Sequence, residues 1–291
     1  MKKFGKSINL YLMDGDPTER IKASFANWTG VAYKIPRTAV ESSKEIELLK
    51  QSGVYFLFST DEEDSREVVY VGQAGIRTNG EGILYRLQEH KRGSDKDYWT
   101  EAVIFTTSNN SFGPTEISYL ENKFYNLAKN AKRYDVQNGN NPSPGHITEE
   151  KESELLEFVE NAKVIMGALG YKVFEPFVEK SKLKNKNSNP ILNYKSNYVA
   201  TGQRTSEGFV VFKGSQLSPT IQPSCPDNVR RYREKYKDKI DSDFNLKEDI
   251  MVSSPSAAAG FVGGSSLSGN VLWEDKNGRN LKEIEADEVK I

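Results

Sequence analysis

Two short segments dominate the interpretation of this chain: Gly53-Val54-Tyr55 and Tyr70-Val71-Gly72. Each places a tyrosine beside a glycine, in a run of β-branched and aromatic residues that predicts a strand. We expect strands over residues 53–58 and 68–72, with the acidic loop 61–66 between them. If the two strands pair, both tyrosines can face the same side of the sheet. The register stays open, because a slip of one residue reverses the faces.

Two polar residues share one face of the next predicted element, a helix over residues 82–92. Arg86 and His90 are four residues apart and therefore lie on the same side of that helix, away from its apolar residues. A guanidinium in this position can hold a phosphate oxygen through two parallel hydrogen bonds.

A carboxylate borders the apolar stripe of a longer predicted helix, residues 114–132. Glu121 lies four residues after Ile117 and three before Phe124, both of which belong to that stripe. A carboxylate beside a core needs a cation or a metal to compensate it. Binding through one carboxylate and several waters is typical of Mg²⁺. Beyond this helix, Asn138 opens a loop rich in Asn and Pro that ends near residue 145.

This ordered set of residues resembles the GIY-YIG nuclease family, which hydrolyses phosphodiester bonds in nucleic acid. The resemblance covers residues 52 to about 145, with valine at positions 54 and 71 where the family name has isoleucine. It implies an α+β fold in which a small three-stranded sheet is flanked by helices. The function that follows is a metal-dependent endonuclease, for which we take DNA as the substrate.

The resemblance also implies a role for each matching residue. Tyr55 acts as general base or positions the attacking water, and Tyr70 supports it. Arg86 binds the scissile phosphate, and Glu121 carries one metal ion, Mg²⁺ or Mn²⁺. Asn138 completes the site, and His90 occupies a position that varies within the family. The predicted site residues are Tyr55, Tyr70, Arg86, His90, Glu121 and Asn138, with Glu121 as the metal ligand.

The two ends of the chain resemble parts of one bacterial subgroup of the family. Residues 14–16 and 27–30 look like its N-terminal extension, and residues 202–284 resemble a small C-terminal domain of unassigned function. The predicted organisation is an extension (1–51), a nuclease domain with a following helix and strand (52–178), a basic linker (179–197) and a second small α+β domain (198–291).

Composition narrows the class of protein. The chain is 28% charged and 36% apolar and lacks a run of about 20 apolar residues, which predicts a globular protein outside the membrane. A single cysteine, Cys225, is consistent with a reducing cytoplasm, where we place the protein. One cysteine and two histidines exclude an all-Cys/His zinc site and favour oxygen ligands. The net charge of −1 disfavours tight coating of DNA, although local basic clusters remain.

Other interpretations stay open. Taken singly, each site residue has an ordinary role: a strand tyrosine packs across strands, and a helix arginine or glutamate forms a surface ion pair. The scaffold could serve as a non-catalytic module that binds nucleic acid or protein. The chain could also be the nuclease subunit of a restriction, repair or mobile-element system. Its C-terminal domain could then bind a protein partner or a second copy of the chain.

Overall fold

The computed structural model describes residues 5–60, 66–77, 80–93, 98–176, 191–195 and 197–288. The chain divides into two compact units, Met1–Pro176 and Phe177–Ile291. Each unit combines helices with a sheet, so the predicted α+β class is confirmed. Most of the predicted acidic loop 61–66 and of the predicted basic linker 179–197 lies outside the described residues.

The sheet of the first unit has seven strands in the order β1-β2-β3-β6-β4-β5-β7. The prediction of three strands was wrong in number, because the N-terminal segment adds three strands and a short strand adds one at the other edge. All neighbours are antiparallel except β5 and β7, which are parallel. The strands are β1 (Ile8–Leu12), β2 (Ile21–Phe25), β3 (Gly30–Pro36), β4 (Gly53–Thr60), β5 (Glu67–Ala74), β6 (Glu101–Thr107) and β7 (Asp135–Val136).

The N-terminal segment is therefore part of the same sheet as the two tyrosine motifs. Strand β3 pairs with β6 along its whole length, from Gly30 opposite Thr107 to Pro36 opposite Glu101. Ile35 on this strand is fully buried, as is Ala32. Backbone pairing and burial together bind the segment to the sheet.

The sequence pattern over residues 38–51 predicts one helix, with Val40, Ile46 and Leu49 available for burial. The structure instead has three short 3₁₀ turns in this region: Arg37–Ala39, Glu41–Glu45 and Glu47–Lys50. The predicted burial of Val40, Ile46 and Leu49 is confirmed. Their spacing of six and three residues does not form a continuous helical stripe. Ile46 instead adopts an extended conformation between two turns, which brings all three side chains inward.

Three helices cover the two faces of this sheet: α1 (Ile83–Arg92), α2 (Pro114–Ala131) and α3 (Glu149–Ala168). Residues of β4 alternate between two cores, as a strand requires. Phe56 packs in the core with α2 and α3, whereas Tyr55 and Leu57 pack in the core with α1 and the 3₁₀ turns. The strand that the sequence predicts after α3, over residues 171–174, is not formed in the structure. Phe174 instead packs from a turn against Phe56, with ring centroids 5.6 Å apart.

The second unit contains a five-stranded sheet in the order β11-β10-β9-β8-β12 around a core with Phe209, Phe261 and Trp273. Serine followed by proline at residues 254–255 predicts a capped helix start. Ser254 indeed caps the helix Pro255–Gly263 by accepting a hydrogen bond from the Ala257 amide at 3.1 Å. The elements are β8 (Leu192–Tyr194), β9 (Thr201–Thr205), β10 (Gly208–Val211), α4 (Asp227–Lys235), β11 (Ile250–Val252), α5 (Pro255–Gly263), α6 (Gly269–Leu272), β12 (Trp273–Glu274) and α7 (Leu281–Glu288).

None of the helices in the described part of the chain is long and apolar enough to cross a membrane.

Candidate functional site

The two motif tyrosines lie on one face of the sheet. The register places Tyr55 opposite Gly72 and Leu57 opposite Tyr70, so the tyrosines are diagonal neighbours on adjacent strands. Their ring centroids are 6.2 Å apart. The register that the sequence left open thus places both phenols on the side of the sheet covered by α1.

The glycines of the two motifs are there for steric reasons. A Cβ on Gly72 would lie 2.4 Å from Cζ and from the hydroxyl oxygen of Tyr55, so only glycine lets the Tyr55 ring lie across β5. A Cβ on Gly53 would lie 2.5 Å from the carbonyl oxygen of Phe105 on β6. The glycines therefore fix the path of the Tyr55 ring and the close approach of β4 to β6.

His90 on α1 contacts both tyrosines. Its Nε2 lies 2.7 Å from the hydroxyl oxygen of Tyr55, and its ring centroid is 5.8 Å from that of Tyr70. The imidazole is buried, as is the Tyr55 ring. With Nε2 unprotonated, the imidazole accepts the hydrogen bond that the Tyr55 phenol donates. In that tautomer, His90 is a proton acceptor for the Tyr55 phenol.

Arg86 lies one turn before His90 and is oriented by an acidic neighbour. Its Nη1 donates to Glu89 Oε2 at 2.9 Å, and the same oxygen accepts from Arg77 Nη2 at 2.8 Å. The Arg86 side chain keeps 40% of its surface exposed. The site therefore presents a cation to solvent beside buried phenols.

The environment keeps both tyrosines protonated. Burial raises the pKa of Tyr55 far above its usual range, with Tyr70 contributing, while the charge and a hydrogen bond of Arg86 oppose the shift. Burial also raises the pKa of Tyr70, and the negative charge of Glu121 adds to it. The protein environment therefore favours the neutral phenol at both positions, and His90 lies within hydrogen-bonding distance of Tyr55.

Glu121 reaches this cluster from α2, on the opposite face of the sheet. Its Oε2 accepts a hydrogen bond from Gln73 Nε2 at 2.9 Å. Gln73 follows Gly72 and so points to the α2 face. Strand β7 pairs with β5 at Val68 and Val69. The negative charge of Glu121 also raises the pKa of Tyr55 and of Tyr70.

A single carboxylate, that of Glu121, fits a magnesium ion, because Mg²⁺ is commonly held by one or two carboxylates and several waters. Within residues that the structure describes, no group of three or more His, Cys, Asp or Glu side chains is placed to hold a metal ion. Magnesium would accordingly depend on the half-buried Glu121 carboxylate and on water.

Asn138 is used by the backbone at the border of the cluster. Its Oδ1 accepts from the Val71 amide at 3.0 Å, and its Nδ2 donates to the Val71 carbonyl oxygen at 2.7 Å. The preceding Gln137 amide bonds the carbonyl of Val69 at 2.9 Å, so Asn138 continues the pairing of β7 with β5. Its amide thus holds the main chain between Tyr70 and Gly72.

Two residues next to the predicted site have a clear part in its geometry. Glu89 forms an ion pair with Arg86 and orients it. The two residues are three positions apart on one helix, a spacing that predicts such a pair from the sequence. Gln73 links β5 to Glu121 and also donates to Ser118 Oγ at 3.1 Å. A polar residue on a strand face that is otherwise apolar is the signal that would have found Gln73.

The comparisons with known proteins bear on the second unit. Residues 191–285 are similar to a family described as a domain of unknown function (DUF4357). The expectation that a small domain of unassigned function lies in this part of the chain is confirmed. No GIY-YIG family model matches the chain. No curated protein and no solved structure matches it either. We refer to residues 191–285 below as the DUF4357-like domain.

Proposed function

We propose that the N-terminal unit is a metal-dependent endonuclease that hydrolyses phosphodiester bonds in DNA. The observation that supports this function is that separate elements contribute side chains suited to the same reaction. Two phenols come from paired strands, a cation and an imidazole from α1, and a carboxylate from α2. These are the groups that hydrolysis needs to activate water, bind the phosphate and stabilise the leaving oxygen.

Tyr55 and His90 together would remove the proton of the attacking water. Because the pKa of Tyr55 is raised, its phenol is a donor and not a base in the resting state. As the phenol takes the water proton, it gives its own proton to His90 Nε2 at 2.7 Å. The relay leaves the phenol neutral and puts the positive charge on the imidazole.

Arg86 would bind a non-bridging oxygen of the scissile phosphate. Its guanidinium is half-buried beside Tyr55, and Glu89 fixes its orientation. Planar guanidinium donors match the geometry of phosphate oxygens. When bound at Glu121, the divalent ion supplies charge neutralisation to the phosphate. Gln73 holds the carboxylate of Glu121 in place for that purpose.

The test is nicking of supercoiled plasmid with Mg²⁺ or Mn²⁺, comparing the wild type with Glu121→Gln. Neutralising the carboxylate should abolish metal-dependent nicking, since one carboxylate carries the ion. Glu157→Gln makes the same change at an exposed position on α3 and should leave nicking unchanged. Thermal unfolding of both variants establishes that they are folded.

Equal nicking by Glu121→Gln and the wild type would overturn the metal assignment. No nicking by any folded form, together with retained binding of DNA, would favour the non-catalytic binding module.

A further inference from the structure

A cavity of about 540 Å³ in the DUF4357-like domain combines a cationic wall with an apolar one. Its volume lies in the range of small-molecule sites, roughly 300–1,000 Å³. The cationic side chains are Arg230, Arg233 and Lys237, and the apolar ones include Ile221, Ile240 and Phe244.

Arg233 is buried in this wall without a carboxylate partner among the described residues. Its Nε donates to the carbonyl oxygen of Phe261 at 2.7 Å, and its Nη2 donates to those of Ser218 and Val262 at 3.1 and 3.3 Å. Only 7% of the residue is exposed. Burial lowers the pKa of Arg233 to about 10. Burying a cation without a counter-ion costs free energy of folding, so an anion bound beside Arg233 would stabilise it.

Arg230 repeats the arrangement one turn earlier on α4. Its Nε donates to the carbonyl oxygen of Cys225 at 3.1 Å, and its Nη2 donates to those of Gln222 and Pro223 at 2.7 and 3.0 Å. In the described part of the chain, no hydrogen bond engages Nη1 of Arg230 or Arg233. Two oriented guanidinium groups thus line one cavity, each with donors still available.

Two carboxylates also line the cavity, Glu234 and Asp241, and each contacts groups other than the two arginines. Glu234 pairs with Lys237. Asp241 accepts hydrogen bonds from the amides of Asp243 and Asn245, at 3.0 and 2.8 Å. Among the described residues, neither carboxylate forms an ion pair with Arg230 or Arg233.

The apolar wall contains a residue in an unusual conformation. Phe244 has a φ of 63°, which is rare for a bulky side chain, and 37% of it is exposed. Two backbone hydrogen bonds hold the residue: its amide donates to the carbonyl of Asp241, and its carbonyl accepts from the amide of Leu217. Strained backbone of this kind persists where the surroundings enforce it, often at ligand sites.

We propose that this cavity is a nucleotide-binding site in which Arg230 and Arg233 bind the phosphate and Phe244 provides the surface for the base. A nucleotide combines the two features that the cavity offers, since guanidinium donors match phosphate oxygens and aromatic rings stack on bases. The nucleotide is either free or part of a single strand, and the chemistry is the same for both. The inference is independent of the proposed nuclease activity.

The first experiment measures binding to the full chain by calorimetry in EDTA, so that no cleavage intervenes. The probes are adenosine monophosphate and inorganic phosphate. The monophosphate should bind more tightly, and Phe244→Gly should weaken its binding about tenfold while leaving phosphate binding unchanged. Glycine adopts a positive φ without strain, so this variant should fold, which thermal unfolding checks. Unchanged monophosphate binding by Phe244→Gly, or equal affinity for both probes, would overturn the proposal.

The second experiment distinguishes a strand from a free nucleotide. Anisotropy of a labelled single-stranded DNA oligonucleotide is measured against salt for Arg230→Gln and for Arg231→Gln, an exposed arginine of the same helix that does not line the cavity. For a strand, Arg230→Gln should lower the slope of log affinity against log salt by about one, and Arg231→Gln should not. Binding of the monophosphate alone supports the free nucleotide. Equal effects of the two arginine variants on every probe would count against the cavity.

Discussion

At the scale of single residues, the site depends on a glycine as much as on the polar groups around it. Gly72 lies under the Tyr55 ring, and an added Cβ would meet Cζ and the hydroxyl oxygen at 2.4 Å. Gly72→Ala should therefore displace the phenol from His90 and lower the cleavage rate at least tenfold. It should also destabilise the unit by roughly 1–3 kcal/mol, as overpacking of a core does.

Plasmid nicking and urea unfolding of Gly72→Ala check both effects. Gly139→Ala is a matched control, because an added Cβ there meets no atom within 4 Å. Wild-type nicking by Gly72→Ala would show that the position of the Tyr55 ring does not matter for the chemistry.

The pairing of Tyr55 with His90 gives a second prediction at this scale. Tyr55→Phe keeps the ring over Gly72 but removes the proton donor to His90. His90→Gln removes the acceptor. Each variant should lower kcat by roughly 10²–10⁴-fold, as loss of general base catalysis does, with little change in DNA affinity.

Because the two groups act as one relay, the double variant should be little slower than either single variant. Single-turnover rates at saturating DNA measure this. Fully multiplicative losses would mean that Tyr55 and His90 act separately.

At the scale of elements, the edge of β5 is held by a side chain that forms the hydrogen bonds a neighbouring strand would form. Asn138 exchanges two hydrogen bonds with the main chain of Val71, between the second tyrosine and its glycine. Asn138→Ala leaves the amide and carbonyl of Val71, a fully buried residue, without these partners, which should cost about 1–3 kcal/mol in urea unfolding. Asn140→Ala, an exposed change in the same loop, should cost less than about 0.5 kcal/mol. Equal costs for both variants would contradict the strand-edge role of Asn138.

The sequence predicted these elements well where the pattern was regular. The strands of both tyrosine motifs and the helices that carry Arg86 and Glu121 have nearly the predicted bounds. Where the predictions from the sequence missed a feature of the fold, the reason is physical. The pairing of β3 with β6 is a backbone interaction between segments about 70 residues apart, which local patterns do not encode. The hydrogen bonds of Asn138 to Val71 also join segments that are far apart in the sequence, so local patterns do not predict them. The Asn-Gly pair by itself predicts only a turn.

At the scale of the whole molecule, the net charge of −1 says little about anion binding. In the DUF4357-like domain, carbonyl oxygens orient Arg230 and Arg233 without neutralising them. In the other unit, Glu89 shares its charge between Arg77 and Arg86. The fold thus determines which cations stay available to a ligand, and composition gives only their number.

Buried and half-buried tyrosines should make the free energy of unfolding depend on pH in the alkaline range. Burial raises the pKa of Tyr134 to about 12, with the charge of Glu67 contributing, and burial raises the pKa of Tyr55 and Tyr171 in the same direction. Below about pH 10 the phenol is protonated in both the folded and unfolded chains, so its contribution to stability is fully present. Above that pH the unfolded chain loses protons that the fold retains, and the free energy of unfolding should fall as pH rises toward 12.

Tyr134→Phe isolates one part of this effect. The variant keeps the ring that packs on Phe58 at 5.7 Å and removes the ionisable group. Urea unfolding at about pH 9 and about pH 11 should show a decrease smaller by about 1 kcal/mol in Tyr134→Phe than in the wild type. Tyr11→Phe removes an exposed phenol on β1 and should behave as the wild type does. The same decrease in all three proteins would mean that alkaline unfolding begins elsewhere, because only a phenol that the fold keeps protonated couples its ionisation to unfolding.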